Sequence, residues 1–191
     1  LPAMTKQALP AGALRHCCDK ALNFLATGWV AVNNAWLSAA ALPWQVCGLE
    51  GLMPHGSYLV SSNHQCWADI LVLQRIFHHR IPFLRPFLKR ELSPVSAIGL
   101  AWRVLDFPFV RCASGGDAGH GDLATTRRAC QKYKGTPTAV LGFAEGTRFT
   151  ATRHAAQRSS YRHLLMPKVN GLGVALATMG EQFDALLDVT I

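Results

Sequence analysis

Tyr58-Leu59-Val60 is an apolar run too short for a helix, and it breaks into Ser61-Ser62-Asn63-His64-Gln65-Cys66-Trp67-Ala68-Asp69 before apolar residues return at Ile70. A short apolar run of this kind reads as a buried strand, here over residues 57–62. The sequence Ile70-Leu71-Val72-Leu73-Gln74-Arg75-Ile76-Phe77 that follows reads as a buried helix reaching about residue 79. A strand that turns directly into a helix is the unit of an α/β fold. It sets His64 and Asp69 at the strand-to-helix turn, where such folds collect their polar groups.

The rest of the chain repeats the alternation. Residues 44–48 read as a first strand and 51–57, with Pro54 and Gly56, as a turn. Residues 92–105 have helical periodicity behind Ser93-Pro94, which supply a cap and a first-turn proline. Phe107-Pro108-Phe109-Val110 is a short strand ending at Arg111, and 114–121 is a flexible connection. Asp122 caps a helix to about Tyr133, and 137–143 is a strongly apolar strand from whose end Ala144-Glu145-Gly146-Thr147-Arg148 emerges. Residues 150–162 are polar and basic and read as an exposed loop, 171–179 as a short helix, and 187–191 as the start of a last strand. No repeat period is present. With 191 residues, half of them hydrophobic, the chain can bury one core. The expectation is a single α/β domain with a mixed, partly parallel sheet flanked by helices.

Residues 21–42 come nearest to a membrane span, but Asn23, Asn33 and Asn34 interrupt them, and a span needs about 20 mainly apolar residues. Leu22, Leu25, Trp29, Val32 and Trp36 share one helical stripe. The helix either packs on the core or lies in a membrane interface with its two tryptophans at headgroup depth. The net charge of +8 favours an anionic partner: phosphate-bearing lipid, a membrane surface or nucleic acid. Arg75, Arg80, Arg85, Lys89 and Arg90 crowd one stretch among Phe83, Leu84, Phe87 and Leu88, which reads as an anion-binding run or as a solvated face beside a half-buried strand. The six cysteines form no CxxC pair and read as reduced, mostly buried thiols in a cytosol-facing compartment. The first twenty residues carry charges without a continuous apolar core, which argues against a signal peptide. The chain starts at Leu1 and stops inside an apparent strand, as a piece of a longer polypeptide does.

Chemistry centres on His64 and Asp69. In one regular helix, five residues turn by about 500°, which leaves two side chains about 140° apart. The pair meets only if His64 precedes the helix and Asp69 lies in its first turn. There the Asp fixes the imidazole tautomer and supports the charge that forms when the other ring nitrogen takes a proton. The plainer alternative has His64 capping the turn and Asp69 capping the helix. A second set, Glu145-Gly146-Thr147-Arg148, offers close backbone approach at Gly146, a hydroxyl at Thr147 and a phosphate-matching fork at Arg148, or else is an ordinary turn with a Glu–Arg surface pair. Arg111 stands at a third strand end. Cys66 is a rival nucleophile two residues from His64. A zinc site from His64, Cys66, His78 and His79 lacks paired ligand spacing.

Asn63-His64-Gln65-Cys66-Trp67-Ala68-Asp69 resembles the Asn-His-x-Ser-x-x-Asp signature of glycerolipid and lysophospholipid acyltransferases, the 1-acyl-glycerol-3-phosphate acyltransferase group. Phe143-Ala144-Glu145-Gly146-Thr147-Arg148 resembles that family's Phe-Pro-Glu-Gly-Thr-Arg block, and Phe109-Val110-Arg111 the end of the block between them. The flanking text is most similar to the bacterial branch related to lysocardiolipin acyltransferases. Cys66 replaces the usual Ser, Ala144 the usual Pro, and Leu105 a frequent Gly.

The resemblance implies a glycerol-3-phosphate acyltransferase-like fold, with 1–43 as an N-terminal membrane-interface helical region and 44–191 as a C-terminally truncated acyltransferase domain. It implies transfer of an acyl group from acyl-CoA or acyl-carrier protein to a lysophospholipid or lysophosphatidate hydroxyl. His64 and Asp69 would be catalytic, and Arg111, Glu145, Gly146, Thr147 and Arg148 substrate-binding. It further implies anionic membrane lipids as partners, no nucleic acid, no metal, no tightly bound cofactor, and the cytoplasmic face of a bacterial inner membrane. The alternative is a non-catalytic lipid-binding fragment of the same fold.

Overall fold

The computed structural model describes residues 13–40, 43–89, 109–110, 120–168 and 170–191. The helix predicted over 92–105, Arg111 and residues 114–119 of the connection predicted over 114–121 lie outside these residues, and the last two residues of that connection, His120 and Gly121, are helical instead.

Four strands form a sheet in the order β2-β5-β1-β6, where β1 is Tyr58–Ser62, β2 Leu84–Pro86, β5 Ala139–Phe143 and β6 Ala185–Val189. Every pairing in it is parallel. A parallel sheet needs covered faces, which explains why β1 and β5 read as unbroken apolar runs rather than alternating ones. Pleating sends Tyr58 and Val60 to one face, against Leu73 and Phe77 of α2 (Asp69–Phe77) and against Ile81, Leu84 and Leu141. Leu59 and Val140 point to the other face, against Cys130 and Tyr133 at the end of α3 (His120–Gln131) and Ala175 and Met179 of α5 (Asn170–Met179). A second, two-stranded parallel sheet pairs β3 (Leu88–Lys89) with β4 (Phe109–Val110).

In the register, Ser62 lies opposite both Phe143 and Val189. The segments that follow β1, β5 and β6 therefore emerge together at the carboxyl edge of the sheet. This edge carries the predicted chemistry.

Helix α1 runs without a break over Ala13–Ala39. It buries Ala26, Val30 and Leu37. Leu25, Trp29, Val32 and Trp36 face away from the core, together with Phe24 at 79% exposure. Its inner side is latched to α2 by polar contacts. Arg75 donates through Nη1 to the Asn34 carbonyl and the Ser38 hydroxyl, both at 2.8 Å, and its guanidinium lies 4.7 Å over the Trp44 ring. Among the described helices, none is long and apolar enough to cross a membrane.

Some expectations need correction. Residues 44–48 form no strand: the segment is exposed and unpaired, Trp44 packs on Arg75 instead, and the left-handed Gly48 and Gly51 turn the chain toward β1. Residues 150–162 are not all loop. Helix α4 (Ala151–Gln157) is capped by Thr150, whose hydroxyl accepts from the Arg153 N–H at 3.2 Å, and is stopped by Arg158 at φ 48°. None of its residues is buried, so no apolar period marked it. Asp122 does not cap α3, which has already begun at His120. Of the described cysteines, Cys47 and Cys66 are exposed, because they sit in the connection and in the turn, and only Cys130 is buried. Burial pushes the Cys130 thiol up to about 11. Two cations of the basic run are spent internally, Arg75 on α1 and Arg85 on the Thr138 hydroxyl at 3.3 Å and the Tyr133 ring.

Candidate active site

The turn after β1 is fixed before any catalytic geometry is considered. Asn63 donates through Nδ2 to the Ile191 carbonyl at 3.0 Å and accepts the Ile191 N–H at 2.8 Å, tying β1 to the chain beyond β6. The His64 backbone is held on both sides: its N–H donates to Glu145 Oε1 at 3.0 Å and its carbonyl accepts from the Phe149 N–H at 2.7 Å. The His64 ring stacks flat on Phe143, with centroids 3.9 Å apart and planes 14° off parallel. Phe143 is opposite Ser62 in the sheet, so the parallel register delivers this platform.

His64 precedes α2 and Asp69 is its first residue, with His64 Nδ1 2.8 Å from Asp69 Oδ2. Asp69 does not cap α2. Its carboxylate instead closes the turn before the helix, where Oδ2 accepts the N–H groups of Gln65 at 2.6 Å and Cys66 at 2.9 Å. Oδ1 accepts the Cys66 thiol at 3.3 Å. Burial on its own raises the Asp69 pKa, but the donors from His64, Cys66 and Gln65 outweigh it and hold the carboxyl below its ordinary value. An ionised, fully partnered Asp69 takes Nδ1 of His64, which leaves Nε2 as the ring's remaining nitrogen. The His64 side chain keeps 16% of its surface open, against 3% for Asp69.

The Glu145–Arg148 turn lies beside this pair. Gly146 takes φ 65°, a left-handed conformation that a Cβ would strain, and an added Cβ would also stand 3.2 Å from Lys168. Glu145 is buried at 3% exposure, and both of its oxygens receive main-chain N–H groups, Oε1 from His64 and Oε2 from Leu165 at 2.8 Å. It works as a clamp between the His64 turn and the 164–168 segment, which also closes back through Lys168 N–H to the Ala144 carbonyl at 2.6 Å. Thr147 is half-buried and Arg148 exposed at the same edge. His64, Asp69, Glu145, Gly146, Thr147 and Arg148 thus come together. Arg111 falls outside the described residues.

Three contributors were not read from the sequence. The Phe143 platform and the Leu165 anchor depend on register and on a return of the chain that no local pattern announces. The Cys66 contact was within reach, because the resembled signature has a hydroxyl donor there and a thiol can donate likewise.

The sequence model of the Acyltransferase family matches residues 44–178. No curated protein sequence matches the chain. Among solved structures, the crystal structure of the 1-acyl-sn-glycerophosphate (LPA) acyltransferase PlsC from Thermotoga maritima is similar, with a TM-score of 0.55 at 20% sequence identity. The similarity covers 92% of this chain and 61% of that one, so the chain spans about three fifths of the length of that protein. At this identity, the likeness speaks for the α/β fold.

Proposed function

This chain belongs to the acyltransferase family, and from that premise we propose that it moves a fatty acyl group from acyl-CoA or acyl-carrier protein to the free hydroxyl of a lysophospholipid or lysophosphatidate. The observation that carries the reading is the 2.8 Å contact of His64 Nδ1 with a buried Asp69 already holding three other donors. A carboxylate so satisfied stays ionised and fixes the ring. Nε2 then takes the proton of the acceptor hydroxyl as its oxygen attacks the thioester carbonyl. The tetrahedral intermediate collapses with cleavage of the C–S bond, and the departing thiolate recovers the proton from the imidazolium. The balance is one O–H and one C–S bond broken, one C–O and one S–H bond made, with no acyl-enzyme.

Arg148 and Arg111 carry charge suited to the acceptor's phosphate, and Thr147 and the Gly146 backbone suit its glycerol. Glu145 serves them by holding the turn. The outward stripe of α1 lies in the interface of an anionic bilayer, on the cytoplasmic face of a bacterial inner membrane, where Trp29 and Trp36 sit at headgroup level and the +8 charge assists.

The test is transfer of labelled acyl groups from acyl-CoA and from acyl-carrier protein to lysophosphatidate, comparing the chain with His64→Ala and Asp69→Asn. Both variants are expected to lose nearly all turnover with either donor. Near-normal turnover in either variant contradicts the mechanism.

A further inference from the structure

After the excursion of α4 the chain returns to the candidate active site through residues 164–168, and the end of that segment brings a cation with it. Main-chain bonds fix the return at two points. The Leu165 N–H donates to Glu145 Oε2 at 2.8 Å and the Lys168 N–H to the Ala144 carbonyl at 2.6 Å. Lys168 therefore starts from a held position beside the Glu145–Arg148 turn, and its stem runs alongside Gly146. A Cβ placed on that glycine would stand 3.2 Å from Cδ of Lys168, 3.7 Å from its Cβ and 3.9 Å from its Cγ. Gly146 thus supplies the left-handed backbone of the turn, at φ 65°, and also leaves room for the lysine stem. The ammonium lies two bonds beyond Cδ, on an exposed side chain.

That charge is not spent inside the protein. The Arg148 carbonyl accepts from Arg153 Nη1 at 3.0 Å, but neither the Arg148 guanidinium nor the Lys168 ammonium has a partner among the described residues. The carboxylates of the site are already committed, both Glu145 oxygens to main-chain N–H groups and both Asp69 oxygens to donors of the His64 turn. No Asp or Glu occurs between Glu145 and Glu181, a stretch that holds Arg148, Arg153, Arg158, Arg162 and Lys168. The two free cations at the Gly146 turn thus have no counter-ion from this part of the chain. They also differ in shape: the guanidinium forks onto two oxygens, and the ammonium adds a compact point charge. Such a pair suits a dianion. A phosphomonoester carries a charge of about −1.5 to −2 at pH 7 on three terminal oxygens, whereas a phosphodiester carries a single charge on two. Lysophosphatidate is a monoester, and lysophospholipids with a further headgroup are diesters.

We propose, resting on the reading that this chain acylates a glycerophosphate acceptor, that Lys168 is a second phosphate-binding residue beside Arg148, and that the pair favours an acceptor with a terminal phosphomonoester over one with a phosphodiester headgroup.

The experiment reads binding apart from turnover. The protein is titrated with sn-glycerol 3-phosphate and, separately, with its methyl diester, and the amide resonances around Gly146 are followed by NMR. The monoester is expected to bind saturably and about tenfold more tightly than the diester. Lys168→Met, which keeps the stem, should weaken the monoester about tenfold and leave the diester within about twofold, and Lys168→Arg should restore most of the loss. In acyl transfer to lysophosphatidate, Lys168→Met should raise KM and leave kcat within about twofold. Binding of this pattern without any acyl transfer would contradict the acyltransferase reading while upholding the Lys168 assignment. Unchanged monoester binding in Lys168→Met, an equal loss for both ligands, a loss that Lys168→Arg does not restore, or no saturable binding of the monoester overturns the proposal.

Discussion

The two ends of α2 are built by opposite rules. At its first residue, the Asp69 carboxylate is buried and receives the Gln65 and Cys66 N–H groups, the Cys66 thiol and the His64 ring. At its last turn, Gln74 Oε1 and the nearby His78 Nε2 are buried without a hydrogen-bond partner among the described residues, and both residues line a cavity of about 200 Å³. The difference shows where this sequence has invested its polar groups. The first end holds one geometry because every acceptor is used, and a networked buried carboxylate is costly to disturb. The second end carries unmet hydrogen-bonding capacity, which costs stability.

The largest effect falls on the satisfied end. In the proposed mechanism His64→Ala removes the base and Asp69→Asn the carboxylate that positions it, and general-base catalysis is typically worth about 10²–10⁴-fold, so a fall of that size in kcat/KM is expected by acyl-transfer assay. A loss of under tenfold in either variant would break the contrast between the two ends.

Glu145→Gln comes next. An amide can replace only one carboxylate oxygen, so its NH₂ must face either the His64 or the Leu165 N–H. Urea unfolding should show a loss of about 1–3 kcal/mol, with kcat/KM falling alongside. An unchanged stability would mean that the clamp does not hold.

The unsatisfied end predicts the opposite sign. Gln74→Leu removes a buried unpaired acceptor and should raise stability by about 1 kcal/mol in the same unfolding experiment, whereas a loss would show that Gln74 is already paired. Smallest is Cys66→Ser, which keeps a donor to Asp69 Oδ1. It should leave kcat/KM within about threefold, while Cys66→Ala costs about 0.5–1.5 kcal/mol.

Acid sharpens the comparison further. Because the folded Asp69 pKa is depressed, its stabilisation is present above the ordinary carboxylate value of 3.8 and is lost as pH falls through the lower folded value. The stability gap between the protein and Asp69→Asn should therefore be constant above about pH 5 and shrink below about pH 4. A gap that stays constant down to pH 2 would contradict the donor network around Asp69.

Much of this arrangement is legible in the sequence where burial leaves a mark. The runs at 58–60 and 139–143 read as strands because a parallel strand is apolar on both faces, and the turn after each follows from the polar break. The condition that His64 precede the helix and Asp69 lie in its first turn came from helical geometry alone. What stayed hidden has no local signature. Helix α4 buries nothing, so its composition matched a loop. Trp44 and Val46 have strand composition, yet Trp44 meets Arg75 rather than a neighbouring strand. Stacking of Phe143 under His64 and the clamp from Glu145 to Leu165 arise only once β1 and β5 lie side by side in register.

The central claim is that His64 and Asp69 act as one proton-transfer unit. Kinetics of the double variant His64→Ala/Asp69→Asn, set against the two single variants with the same donor and acceptor, test it most directly. The account predicts that the double variant is about as slow as His64→Ala alone, because a carboxylate without its imidazole has nothing to orient. Losses that multiply, so that the double variant falls by the product of the two single effects, would contradict it.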